Sequence, residues 1–336
     1  MRIERVDPAD ADLVRACYDV MLAAQQADDP AWPVESAEVF RISLAEGGRS
    51  REPQEFWAAR KPDGGPVAGW VHIQLPDLDN RDRAWVFPTV APGRRRRGIG
   101  RELLRHAATR ASAHGRSAID SGALTGSAGA AFAVSAGATA ELEEARRVLD
   151  LRKVPDGEFA RLRATAAERA SGYRVVTWAG PTPEEYLERS AGLHNAMNDA
   201  PAPEGWEDEQ WDADRVRERF DGWLLASRRR GYAVAALHAT TGEMAALTEV
   251  RVDPSMPSWG SQGLTAVTRP HRGHRLGLLI KAAMLEWLAE AEPALERIGT
   301  GNAASNKYMI DVNEALGFEL HEPTWTFYQL LPADLR

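Results

Sequence analysis

Residues 87–100 read FPTVAPGRRRRGIG, and residues 264–277 read LTAVTRPHRGHRLG. In each, a β-rich run ends at a valine, Val90 or Val267, and an Arg-rich turn leads to a glycine, Gly100 or Gly277, that opens an apolar-periodic segment. Both pairs are 177 residues apart (267 − 90 and 277 − 100), as are Gly65 of GGPVAGWVHI and Gly242 of TGEMAALTEV. A constant offset over separate landmarks marks an internal duplication, which governs the fold before any single motif does.

Working outward, the halves repeat one order of elements. A helix, over 9–24 or 183–198, leads into a Trp-containing polar stretch, and a hairpin follows, EFWAARKPDGGPVAGWVHIQL or YAVAALHATTGEMAALTEVRV. After the Arg-rich turn, Ile99, Leu103, Leu104, Ala107, Ala108 and Ala111 fall at helical spacing, as do Leu276, Leu279, Ile280, Ala283, Met284, Trp287 and Leu288. Between the halves RKVPDGEFARLRATAAERASGY is charged and alanine-rich, so we expect domains over 1–150 and 172–336 joined by a helical linker over 151–171. The length of 336 residues suits two such domains.

Composition narrows the function. The net charge of −8 argues against non-specific nucleic-acid binding and suits a cationic partner. The opening MRIERVDPADADLV has no apolar signal region, and no stretch approaches the roughly 18 apolar residues of a membrane span. A cytoplasmic protein without membrane contact is expected. The lone Cys17 excludes an internal disulfide and a cysteine zinc site, and no metal is expected.

A strand, a glycine-bearing loop and a helix start direct unpaired N–H groups and a positive dipole end at one point, which suits a phosphate. Arg95, Arg96, Arg97, Gly98, Ile99 and Gly100 form R-x-x-G-x-G, and here the chain resembles the GNAT superfamily, whose acyl-CoA pyrophosphate loop is Q/R-x-x-G-x-G/A. The second copy, Arg272, Gly273, His274, Arg275, Leu276 and Gly277, has arginine at the middle glycine. The resemblance spans nearly the whole chain, in the tandem actinobacterial arrangement organised like mycothiol synthase. It implies two α/β GNAT domains, each a mixed, mostly antiparallel sheet flanked by helices, and acetyl-CoA (acyl-CoA) as cofactor.

A further family signature, N-x-x-A-x-x-x-Y-x-x-x-G-F, is matched in NAASNKYMIDVNEALGF by Asn306, Gly317 and Phe318, with Asn313 at the tyrosine and Asn302 upstream. An amide cannot serve as general acid in the tyrosine's place, and Tyr308 lies on another face of the same helix. In the first half the same alignment puts Gly126 and Ala133 at the polar positions. Acyl transfer to an amine also needs a group to take the ammonium proton, and the repeat aligns His72 with Glu249, 177 residues on. In HNAMNDAPAPEGWEDEQWD, Asn198, Asp199, Trp206 and Glu207 combine acids with aromatic faces that would attract an amine.

The expected function is acyl transfer from acetyl-CoA to a primary amine of a small molecule, with Glu249 as base in the second half. The alternatives are a non-catalytic acyl-CoA-binding protein and a protein or peptide N-acetyltransferase. A monomer with pseudo-dimeric halves or a homodimer would each fit.

Overall fold

Alternating residues in the two hairpins build two sheets in the computed structural model, which describes residues 1–48, 51–62 and 64–331. The strands are β1 Arg2–Arg5, β2 Gln54–Arg60, β3 Gly69–Gln74, β4 Arg83–Val90, β5 Ala118–Leu124 and β6 Thr139–Asp150, then β7 Tyr173–Ala179, β8 Arg230–His238, β9 Met244–Val252, β10 Trp259–Val267, β11 Arg297–Ala303 and β12 Glu319–Leu330. Two compact units result, each discontinuous in sequence. The first holds Met1–Glu143, Pro203–Glu207 and the chain from Pro323, and the second holds Glu144–Ala202 and Asp208–Glu322.

Strand order in the first unit is β1-β2-β3-β4-β5-β12, and in the second it is β7-β8-β9-β10-β11-β6. The order matches position for position. Each sheet is antiparallel except at β4–β5 and β10–β11, where three residue pairs run parallel. The sixth strand of each unit comes from the other sequence repeat: β12 pairs with β5 from Trp325↔Leu124 to Leu330↔Ile119, and β6 with β11 from Asp150↔Arg297 to Glu144↔Ala303.

Helices flank these sheets as the apolar spacing requires. In the first unit α1 Ala11–Asp28 and α2 Ala37–Glu46 cover one face, packing Val14, Cys17, Val20 and Phe40 against Phe56 and Trp70. The other face carries α3 Ile99–Ala113, whose six expected apolar positions are all buried. Burial pushes the Cys17 thiol up to about 12, so it behaves as a small apolar residue. α4 Ala128–Ser135 follows β5.

In the second unit α5 Glu158–Ala167 packs Leu162 and Ala166 into the same core as α9 Leu276–Ala291. The segment expected as a linker thus contributes to that core. The expected helix over 183–198 is broken into a 3-10 turn at Glu184–Tyr186, α6 Leu187–Asn195 and another 3-10 turn at Ala196–Asp199. Then come α7 Ala213–Arg215, a π-helical turn Val216–Asp221, α8 Gly222–Ala226 and, after β11, α10 Lys307–Ala315.

One core position opposes the fold. Lys281 on α9 is 2% exposed, its Nζ has no hydrogen-bond partner among the described residues, and it lies 4.8 Å from the centre of the Phe318 ring. Burial lowers its pKa to about 7. Below pH 7 the folded protein must hold a buried cation, whereas between about 7 and the ordinary value the unfolded chain binds the extra proton, so stability rises with pH there. Lys281→Met should therefore stabilise the protein by at least about 1 kcal/mol at pH 6, a gain that shrinks toward pH 10. Urea midpoints across that range test it, and a gain independent of pH would show that Lys281 is not buried as a titrating amine.

Candidate acyl-transfer site

Each Arg-rich loop takes one backbone path with two left-handed residues. In the first, Arg96 has φ 63° and Gly98 has φ 82°, and in the second Gly273 has φ 86° and Arg275 has φ 54°. The glycine stands at the first left-handed position in one copy and at the second in the other. The second loop keeps its shape although Arg275 replaces the glycine, at the roughly 1–2 kcal/mol that a side chain in this region costs.

The leading arginines turn inward. Arg95 donates from Nε to the carbonyl of Val90 at 3.3 Å and pairs with Asp28 through two contacts of 2.6 Å. Arg272 repeats this on the carbonyl of Val267 at 3.2 Å and on Asp199 at 2.6 Å, and Arg269 also pairs with Asp199. These arginines brace the loops. Asp199, expected in the acceptor pocket, is the acidic partner of that brace.

What remains for a ligand is backbone. Gly98 and Arg275 cap α3 and α9 without side-chain hydrogen bonds, leaving the first N–H groups of each helix open, and no atom lies within 4 Å of where a Cβ on Gly98 or Gly273 would be. Such an uncapped, unobstructed helix start fits a pyrophosphate. Arg96, Arg97, His274 and Arg275 are exposed around it, Ile99 and Leu276 are the buried first helical residues, and Gly277 is more open than Gly100, where a Cβ would meet Phe132 at 3.4 Å.

Sheet registers separate the halves. In the first unit the ladder between β3 and β4 is regular, and Phe87 alone opposes His72. Between β9 and β10 the pairs Thr265↔Thr248 and Gln262↔Val250 leave Gly263 and Leu264 both opposing Glu249, which is a β-bulge. Gln262 pins it by donating to the Glu249 carbonyl at 2.6 Å and to the Thr248 hydroxyl at 3.0 Å. A backbone hydrogen bond from Leu264 reaches the Glu249 side chain.

Glu249 is 4% exposed, and its Oε2 has no hydrogen-bond partner among the described residues. It lines a cavity with Trp178, Thr182, Phe220, Tyr232 and Arg251. Burial pushes its carboxyl up to about 8, against the pull of Arg251, whose Nη2 is 4.0 Å away. His72 differs in kind. It is stacked on Phe56 with ring centres 4.4 Å apart and bonded to Gln54 at 2.9 Å, and burial lowers it to about 4, so it stays neutral in a packed aromatic row.

The asparagines on α10 serve the protein itself. Asn306 is the helix N-cap, accepting from the Met309 N–H at 3.3 Å, and fully buried Asn313 donates to Asn302 at 2.7 Å. Tyr308 is 88% exposed. In the first unit α4 is capped by Ser127, so a polar cap survives one residue beyond Gly126.

The acidic-aromatic segment is divided. Pro203–Glu207 belongs to the first unit, where Trp206 meets Trp85 edge-on at 5.0 Å and Glu207 exchanges hydrogen bonds with Asn80. Asn198 braces its own loop by pairing both ways with the Glu209 backbone. Of the residues expected at the acceptor site, only Glu249 lines the cavity. Thr182, Phe220 and Arg251 were missed because they come from three separate elements and carry no motif.

The chain's similarities agree with this geometry. The profile of the acetyltransferase (GNAT) family matches residues 17–126. Mycothiol acetyltransferase of Mycolicibacterium paratuberculosis (strain ATCC BAA-968 / K-10) is 30% identical over 247 residues, covering 71% of this chain and 68% of that protein. A tandem GNAT protein from the clavulanic acid biosynthesis pathway superposes with a TM-score of 0.81 at 30% identity over 98% of both chains. A GCN5-related N-acetyltransferase from Sphaerobacter thermophilus shares the fold, with TM-score 0.67 at 18% identity over 98% of this chain and 95% of that one. The chain belongs to the GNAT acetyltransferase family, in its tandem form.

Proposed function

We propose that the protein is an acetyl-CoA-dependent N-acetyltransferase of a small primary amine, with the chemistry in the second unit. The observation that carries this reading is the bulge of β10 set against Glu249, a buried carboxylate in a cavity, where the first unit has a regular ladder and a packed histidine. Acetyl-CoA supplies the activated acyl thioester. The open N–H groups at the start of α9 hold its pyrophosphate, and those at Gly98 and Ile99 offer a second such cradle. Glu249 takes the proton of the acceptor ammonium, and Trp178 and Phe220 give its body an aromatic wall. Backbone N–H groups freed by the bulge favour negative charge on the carbonyl oxygen.

A second reading, a non-catalytic acyl-CoA-binding protein, is favoured by Asn313, which is fully buried and bonded to Asn302 where a general acid would stand. One experiment separates them. Acetyl-CoA is titrated calorimetrically, and free thiol is followed with panels of simple amines, aminoglycosides and peptides. Amine-dependent thiol release with the small acceptors supports the enzyme. Binding of acetyl-CoA without release across the panels supports the binding protein, and release with peptides alone would move the acceptor class to proteins.

A further inference from the structure

The second unit holds another buried carboxylate beside its cavity, on an unusual element. Val216–Asp221 is a π-helical turn between α7 and α8, and such turns are rare and concentrate at functional sites. Its last two residues meet the cavity wall. Phe220 lines the cavity, and Asp221, 4% exposed, accepts from the N–H and the hydroxyl of the lining residue Thr182 at 3.0 and 3.3 Å. The Arg251 guanidinium lies 4.2 Å from the centre of the Phe220 ring and 4.0 Å from Glu249.

We propose that Asp221 is the positioning residue that decides whether Glu249 holds a proton, with Arg251 as its counterweight. The inference rests on the reading of Glu249 as the base. Asp221 disfavours a charge on Glu249 and Arg251 favours one, while burial outweighs both. Asp221 is itself raised to about 6 by burial, against its bonds to Thr182 and the pull of Arg251 and Arg217. No other facing group competes. Tyr232 of β8 spends its hydroxyl on Glu292 at 2.7 Å, and His194 of α6, stacked on Trp211, is lowered to about 3 by burial and by Arg251 and Arg215, and so stays neutral. Asp221 thus keeps the base protonated until the pH is high or the acceptor arrives, and the π-turn is the device that brings it there.

The test needs no knowledge of the acceptor. Full-length protein labelled with carbon-13 at the glutamate carboxyls is titrated by NMR, and the Glu249 resonance is the one missing from Glu249→Gln. Asp221→Asn should lower its midpoint by about half a unit or more, and Arg251→Gln should raise it by a similar amount. Opposite displacements cannot come from general loosening of the cavity. An unmoved midpoint in Asp221→Asn, or displacements of one sign in both variants, would overturn the proposal. If Asp221→Asn does not fold, Arg251→Gln decides alone, its rise supporting the counterweight and its absence removing it. A wild-type midpoint at the ordinary carboxylate value would instead sink the reading of Glu249 as base.

Discussion

Glu249→Gln is expected to lower kcat by about 100-fold or more, the usual weight of a positioned general base, with little change in acetyl-CoA affinity. The glutamine keeps the shape and can still accept the Leu264 hydrogen bond, but it cannot take a proton. Because burial raises the carboxyl to about 8, the wild-type rate should climb as pH rises through that value, and the climb should vanish in the variant. Stability gives an independent check. A carboxyl raised in the folded state stabilises it below the ordinary value near 4.5, and that contribution is lost as pH rises to about 8. Glu249→Gln should therefore be the more stable protein at pH 9. His72→Gln should leave turnover nearly intact, since His72 is neutral and bonded to Gln54. Wild-type turnover in Glu249→Gln together with its loss in His72→Gln would place the chemistry in the first unit.

Much of the fold was legible because duplication repeats its own landmarks. The constant offset of 177 residues joined the hairpins, the phosphate loops and the long helices without any knowledge of contacts. The same constancy concealed the feature that separates the halves. The second copy has one extra residue in its bulge but nine residues between the paired Arg251 and Ser261, where the first has ten between Gln74 and Trp85. Insertion and deletion cancel, and a strand with a bulge reads like a regular one. Arg275 was equally opaque, since nothing local announces that an arginine will adopt the left-handed conformation of Gly98. Asn306 and Asp199 looked like ligand contacts because a motif fixes a position and leaves the partner open. The neighbours took both, as an N-cap and as an arginine brace.

Strand exchange lay wholly beyond the sequence, because β6 and β12 carry similar alternation and either could complete either sheet. It makes a strong prediction about fragments. Residues 172–336, the natural cut from the repeat, should fail to give a cooperative melt, whereas 144–322, which contains the whole second unit, should give one. The shorter fragment lacks β6, so β11 keeps only three parallel pairs with β10 and loses its ladder to Asp150–Glu144. It also lacks α5 and the ion pairs of Arg147 with Glu314 and Arg152 with Glu296. Leu149, fully buried, and Leu162 leave the core, and at about 1.5–3 kcal/mol for each such side chain their loss alone approaches the whole stability of a domain. Because β11 would present an open, unpaired edge, the fragment should also aggregate. Circular dichroism melts and size-exclusion profiles of the two fragments decide the matter. Equal, cooperative transitions would mean that β6 and α5 are dispensable and that the second repeat alone forms the domain.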